Sequence, residues 1–390
     1  MDRNQGVMAV FARECRRMRS QRFYPLFMLV LPVLSFALLW AIFQQQVPRN
    51  LPVVVCDEDH SALSREIIRR IDATPSMRVA AVDDFAQGRN LIMTRKAYAL
   101  IRIPTGTERE VGRGMTAEIA CLYNAQFILP GSMVTRDLGQ LVATLSQGID
   151  IRRRQGRGDT DAAARVHAEP IRVDQHALFN PQLNYVYYLL TMLLPTMLQI
   201  FILITAVQAV GSELKEKTAS EWLATAGSTW RAVLGKLLPQ TIHYLFLGMF
   251  MIILLFQWLA IPVRGSLGMI AAGTVLFVMA YQAMGLFLAS WFANLRLATS
   301  AAAFYSAPAF AFTGVTFPLM AMPFLGRVWG GILPLTYYLQ LLVGQAIRGT
   351  PARNALPECL ILLAFVVILP LISLHRMERV MRQSRYWGRL

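Results

Sequence analysis

At 390 residues, 55% of them hydrophobic and with a mean hydropathy of +0.43, the chain carries more apolar surface than one soluble core can hide. That excludes an ordinary water-soluble enzyme and places it among membrane proteins. The net charge of +15 does not indicate nucleic acid, because much of the arginine sits at the two ends beside apolar runs, where it reads as membrane orientation.

Residues 1–23 predict a basic amphipathic, interfacial helix. Val7, Val10, Phe11, Cys15 and Met18 fall at helical spacing and Arg13, Arg16, Arg17 and Arg19 fill the rest, so the helix lies along the inner membrane surface. The apolar block 24–43 is not followed by a small-residue cleavage site, so it reads as a retained span rather than a signal peptide.

Residues 44–183 have the composition of a soluble domain. Strands are predicted over 51–56, 79–82, 97–103 and 118–123, and helices over 63–71, 84–95 and 131–151, with a turn and helix cap at 57–61. The result is an inserted α/β domain. Its charged tail, 152–165, begins with Arg152, Arg153 and Arg154 and reads as an exposed loop or helix end, a solvated run rather than a binding site. Four cysteines, Cys15, Cys56, Cys121 and Cys359, stand singly, so no metal site is expected. Cys56 and Cys121 share the α/β domain: a disulfide between them is one expectation, two small buried hydrophobes the other.

The segment 184–374 holds apolar runs at 183–210, 232–259, 267–292, 298–317 and 357–374, each long enough for a hydrocarbon core of about 30 Å. With the first block they make six transmembrane helices. Between the last two, 318–348 is apolar but broken by Pro318, Pro323, Gly326, Gly330, Gly331 and Pro334, the pattern of a re-entrant helical hairpin. Phe317, Pro318, Pro323, Pro334 and Tyr337 are its candidate exit-region residues. The positive-inside rule puts the N-terminal segment, the loop 211–239, Arg296 and a basic tail, 375–390, on one side. Both termini are then cytoplasmic and the α/β domain periplasmic, in an inner membrane.

No aspartate follows Asp174, and the later glutamates, Glu213, Glu216, Glu221, Glu358 and Glu378, lie in loops or near span ends. That argues against a proton-coupled carrier, which needs an intramembrane carboxylate. His243 reads as a histidine hydrogen-bonded to a neighbouring helix rather than as a relay. No phosphate-binding loop, zinc motif or nucleophile turn is present, so neither a catalytic nor a cofactor site is expected in this chain. Met192, Met197, Phe201, Met249, Phe250, Met251, Met279 and Met284 suit an adaptable apolar surface for a drug or lipid, though methionines in spans are more often plain packing.

Three stretches resemble the permease subunit of an ABC-2 type exporter, of the bacterial subgroup with a large periplasmic domain after the first span. They are 52–65 with 97–104, 108–114 and 179–181; 213–226 through 234–239; and 312–318 through 333–338 and 345–349. Lys217 stands where the family pattern has glycine, and Ala226 where it has proline. The resemblance implies a dimer with a second permease copy or paralogue, docked on separate ABC ATPase subunits that hold ATP and Mg²⁺, and, by the subgroup, a periplasmic adaptor protein. It makes Glu213, Lys215, Glu216, Lys217, Thr218, Glu221 and Trp222 the ATPase coupling set. One helix over 212–225 is expected to present Glu213, Lys217 and Glu221, four apart on one face, with Trp222, Leu223 and Trp230 as apolar anchors. Reversing Glu213 and Glu216 should then uncouple transport with membrane insertion intact. The alternative is a non-transporting scaffold or sensor whose periplasmic domain binds a ligand or partner.

Overall fold

The computed structural model describes residues 5–156 and 178–388. The chain divides into two compact units, one of Met1–Gln44 with Tyr185–Leu390 and one of Gln45–Asn184.

The smaller unit is a four-stranded sheet in the order β2-β1-β3-β4, built from β1 (Leu51–Asp57), β2 (Met77–Val82), β3 (Ala99–Ile103) and β4 (Ala120–Tyr123). The central strand β1 pairs in parallel with both β2 and β3, and β4 closes antiparallel on β3. Because β1 is covered on both faces, its apolar run needs no polar alternation. Val53, Val55, Ala99, Ile101 and Ile103 point to one core with Met133, Val134 and Leu138, while Val54, Cys56 and Leu100 point to the other.

The helices of this unit start where capping chemistry permits. In α3 (Ala62–Asp72), Ser61 and Ser64 form a reciprocal capping box, both bonds 3.0 Å, and Asp84 caps α4 (Phe85–Met93) through the Ala86 N–H. The short α5 (Thr107–Arg113) was not foreseen as a helix. Its first N–H groups are met by Asp59 from a distant loop: Oδ1 accepts from Gly106 at 2.7 Å and Oδ2 from Glu108 at 3.1 Å. The last helix of the unit is α6 (Ile128–Gln155). It includes Arg152–Arg154; the predicted charged tail beyond Gly156, 157–165, lies outside the described residues.

Cys56 and Cys121 are both free thiols, and the strand order explains why they do not join. β3 lies between their strands, a separation of about 9.6 Å at two strand spacings, beyond the ~7 Å that a disulfide tolerates. Their side chains also belong to opposite faces of the sheet.

In the larger unit, α1 (Val7–Ser20) precedes five helices that are long and apolar enough, among the described residues, to cross a membrane: α2 (Pro25–Phe43), α7 (Val186–Lys215), α9 (Thr229–Trp258), α10 (Leu267–Phe292) and α15 (Ala352–Arg382). α8 (Ala219–Ala226) is the short helix between α7 and α9. Burial ranks the spans: 78% of the apolar window of α7 is buried but only 17% of that of α2 and 11% of that of α15, so α7 is central and α2 and α15 peripheral.

The expected span at 298–317 is not one helix. α11 (Leu295–Ser306) has 12 residues, about 18 Å of rise, and Pro308, which lacks an N–H, separates it from the four-residue α12 (Ala309–Phe312). Two short helices follow, α13 (Phe324–Gly331) and α14 (Pro334–Val343). Phe317, Pro318 and Pro323 are exposed in this stretch, Pro334 is buried at the start of α14, and the Tyr337 hydroxyl donates to the Gly331 carbonyl at 2.9 Å. The residues read as a free basic tail are partly structural. α15 runs on to Arg382, Met377, Val380 and Met381 are buried, and Arg376 donates to the Ser290 and Trp291 carbonyls.

His243 has a specific local task. Pro32 has no N–H to offer the Met28 carbonyl four residues earlier, the turn Pro25–Val30 widens to π geometry, and His243 Nε2 donates to that carbonyl at 2.7 Å. The apolar residues proposed for a transport path divide: Met192, Phe201, Met251 and Met284 are buried in the core, whereas Met249, Phe250 and Met279 are exposed.

Candidate functional site

The charged stretch between α7 and α9 is built around a buried ion network. Glu213, in the last turn of α7, is fully buried and accepts from three cations: Arg13 in a two-pronged contact (2.8 and 3.1 Å), Arg17 at 2.6 Å and Lys236 at 2.7 Å. Lys236, in the third turn of α9 and also fully buried, reaches Glu14 of α1 at 2.6 Å, and the Tyr24 hydroxyl donates to Glu14 at 3.2 Å. Arg17 pairs further with Glu216 at 2.7 Å. Arg13, Arg17 and Lys236 therefore balance Glu14, Glu213 and Glu216, and no formal charge is left over. Such balance is what makes buried ions tolerable, since an unpaired one costs several kcal/mol.

The network fastens three segments to one another. α1 crosses α9 so closely at Gly235 that a Cβ there would lie 2.5 Å from the Val7 carbonyl oxygen and 2.8 Å from Val10. The Gly6 N–H donates to the Thr225 carbonyl at 2.9 Å, tying the start of α1 to the end of α8. Trp222 of α8 is buried as well: its indole N–H donates to the Ala232 carbonyl at 3.0 Å, and the Lys236 ammonium sits 5.2 Å from its ring centre.

The predicted continuous helix over 212–225 is broken, and the break has a defined chemistry. α7 ends at Lys215; Lys217 adopts φ +62°, the left-handed region. The Thr218 N–H then bonds to the Glu213 carbonyl at 3.0 Å and the Lys217 N–H to the Leu214 carbonyl at 3.4 Å, the bonding pattern of a Schellman cap. The Thr218 hydroxyl closes the turn on the Glu213 carboxylate. Glycine normally occupies the left-handed position because it has no Cβ, so the family's preference is explained and Lys217 fills the same geometry at a cost. Its side-chain stem lies against Gly388, whose N–H donates to the Leu214 carbonyl at 2.8 Å.

The seven coupling candidates thus separate into two groups. Glu213 and Trp222 are buried within the chain and position the turn. Lys215, Glu216, Lys217 and Glu221 are exposed, and Thr218 is half-buried. Glu213, Lys217 and Glu221 do not share a helical face, because the turn intervenes. Of the three apolar anchors, Leu223 is half-buried, and only Trp230, 52% exposed with the Arg231 guanidinium 5.4 Å from its ring, is openly available. Glu14 and Lys236 were missed by sequence reasoning. Glu14 is the only acid in α1 and lies four residues after the buried Val10, on the same face, which was the available signal.

A broken, charged element of this kind joins two span-length helices in a chain whose residues 22–375 match the family model for ABC-2 family transporter proteins. The chain belongs to the ABC-2 transporter family. It is similar to the probable multidrug ABC transporter permease YbhR of Escherichia coli K12, with 22% identity over 296 residues, 76% of this chain and 77% of the relative. The same protein of E. coli O157:H7 matches equally. Membership makes this ABC-2 chain a multi-pass membrane transport protein rather than an enzyme, in keeping with its five span-length helices.

Proposed function

We propose that this chain is the membrane-spanning permease subunit of an ATP-driven exporter, working as a dimer and driven by separate ATPase subunits that bind ATP and Mg²⁺. The observation that carries the proposal is the turn 215–221: it projects Lys215, Glu216, Lys217 and Glu221 outward while a neutralised ion network underneath holds it to α1, α7 and α9. A surface that must transmit force needs that combination, exposed charge on a base that does not yield. The ATPase would dock there, with Trp230 as an apolar contact.

In this reading the turn and both termini are cytoplasmic, the Gln45–Asn184 unit is periplasmic and open to an adaptor protein, and α11 to α14 supply a sixth, broken crossing with a re-entrant hairpin. The substrate is a hydrophobic or amphipathic drug or lipid, and the name of the E. coli relatives, a probable multidrug permease, supports the drug. The test is cross-linking: a cysteine at Glu221 or Lys215, in a chain otherwise free of accessible thiols, should form ATP-sensitive links to the ATPase subunit. No link from either position, with links forming from the opposite end of the spans, would refute the docking assignment.

A further inference from the structure

A groove of 620 Å³ lies between α1, the start of α2 and α9, lined among others by Phe11, Met18, Arg19, Met28, Ile242 and His243. Its volume is within the range of about 300–1,000 Å³ typical of ligand sites. Its floor is chemically quiet. His243 Nε2 already donates to the Met28 carbonyl and the Tyr24 hydroxyl to Glu14, and the rest of the inner wall is mostly hydrocarbon and sulfur. At the rim stands Arg19, exposed and without an ion pair among the described residues, with Arg16 and Arg22 also exposed beside it. The carboxylate of α1, Glu14, is buried and committed to Lys236 and Tyr24, so among the described residues no ion pair neutralises Arg19 at this rim.

We infer that the groove binds one anionic phospholipid of the adjoining leaflet, its acyl chain between α2 and α9 and its phosphate on Arg19. Two features select that occupant. The groove opens where the interfacial helix turns into the first span, the depth of lipid headgroups, and α2, with 17% of its window buried against 44% for α9, leaves most of its length uncovered by the rest of the chain. The unopposed arginines complement a negative headgroup, and an ammonium or neutral amphiphile would meet only repulsion or indifference there. The inference rests on membrane embedding alone and not on the identity of any transported substrate.

Cys15 lines the same groove and supplies the readout. The full-length chain carrying Cys15 as its only cysteine would be placed in nanodiscs of phosphatidylcholine with increasing phosphatidylglycerol, and the maleimide labelling rate measured. Burial pushes the Cys15 thiol up and the Arg19 charge pulls it back, so each variant is compared with itself, with and without the anionic lipid. Phosphatidylglycerol should slow labelling several-fold where phosphatidylcholine does not. Arg19→Ala should weaken that protection about fivefold, the loss expected for one cation at an anionic surface. Ile242→Trp, which fills the groove from an exposed position, should bring the ratio of rates towards one. Equal slowing by both lipids, protection unchanged in Arg19→Ala, the same protection by inorganic phosphate, or protection that follows protein concentration rather than lipid would each overturn the inference.

Discussion

Lys236→Met isolates the buried network most cleanly. Methionine nearly matches the lysine stem in volume but removes the ammonium that lies 2.6 Å from Glu14 and 2.7 Å from Glu213. The two carboxylates are affected unequally. Glu213 keeps Arg13, Arg17 and Thr218, whereas Glu14 keeps only the Tyr24 hydroxyl at 3.2 Å. Breaking a buried pair in this way costs about 3–5 kcal/mol. The chain can relieve it by lifting α1 off α9, so the cost should appear as easier opening of α1, by a factor of about 100 or more at 1.4 kcal/mol per tenfold. Hydrogen exchange on the full chain in nanodiscs reads this directly, from peptides covering α1. Adding Glu14→Gln removes the orphaned charge, and the double variant should regain protection to within about tenfold of the parent, as expected when a buried pair is replaced by neutral groups of similar size. Unchanged protection of α1 in Lys236→Met, or a double variant no better than the single one, would refute the reasoning.

Other consequences follow from single contacts. Gly235→Ala places a methyl group 2.5 Å from the Val7 carbonyl, so it should undock α1 while leaving exchange in α10 and α15 unaltered; native exchange in α1 would count against the close crossing. Lys217→Gly should stabilise the turn after α7 by about 1 kcal/mol, by removing a Cβ from left-handed backbone, seen as slower exchange at Thr218; faster exchange would show that the Lys217 stem against Gly388 matters more. Asp59 governs a pH effect in the smaller unit. Burial pushes its carboxyl up, but the Ser61 hydroxyl and the N–H groups of Glu108, Gly106 and Thr107 outweigh that and hold it below the usual carboxylate range. Since the folded value is the lower one, its contribution is present above the ordinary aspartate value of about 3.9 and lost as pH falls through the folded value. Exchange in α5 should therefore quicken below about pH 4 in the parent and be quick at all pH values in Asp59→Ala.

Sequence pattern and structure agree where one physical rule dominates. The apolar β1 with Ser61 and Asp84 as caps, and the uninterrupted runs of α7, α9 and α10, are each determined by burial or by a local hydrogen bond, and were legible. What escaped were long-range pairings. Glu14 among arginines reads as a solvated charge until Lys236, 222 residues away, is brought to it. Likewise Glu213 read as a surface contact because its three cations come from elsewhere in the chain, and its reversal would place a fourth cation among Arg13, Arg17 and Lys236. Reversal of Glu213 is therefore expected to unseat α1 itself, and it no longer tests docking. α5 depends on Asp59 for its start, and the break at Pro308 in an otherwise apolar run was obscured by the length of that run.

The central claim, that the exposed half of the turn passes force from an ATPase while the buried half only holds it in place, is tested most directly by Glu221→Lys. Glu221 is exposed and outside the ion network, so the variant should insert and fold as the parent does. In vesicles reconstituted with the partner ATPase, ATP turnover and export should be measured together. The account predicts that export is lost while ATP turnover persists at a rate no longer responsive to transported compound. Export and responsive turnover at parental levels would contradict it.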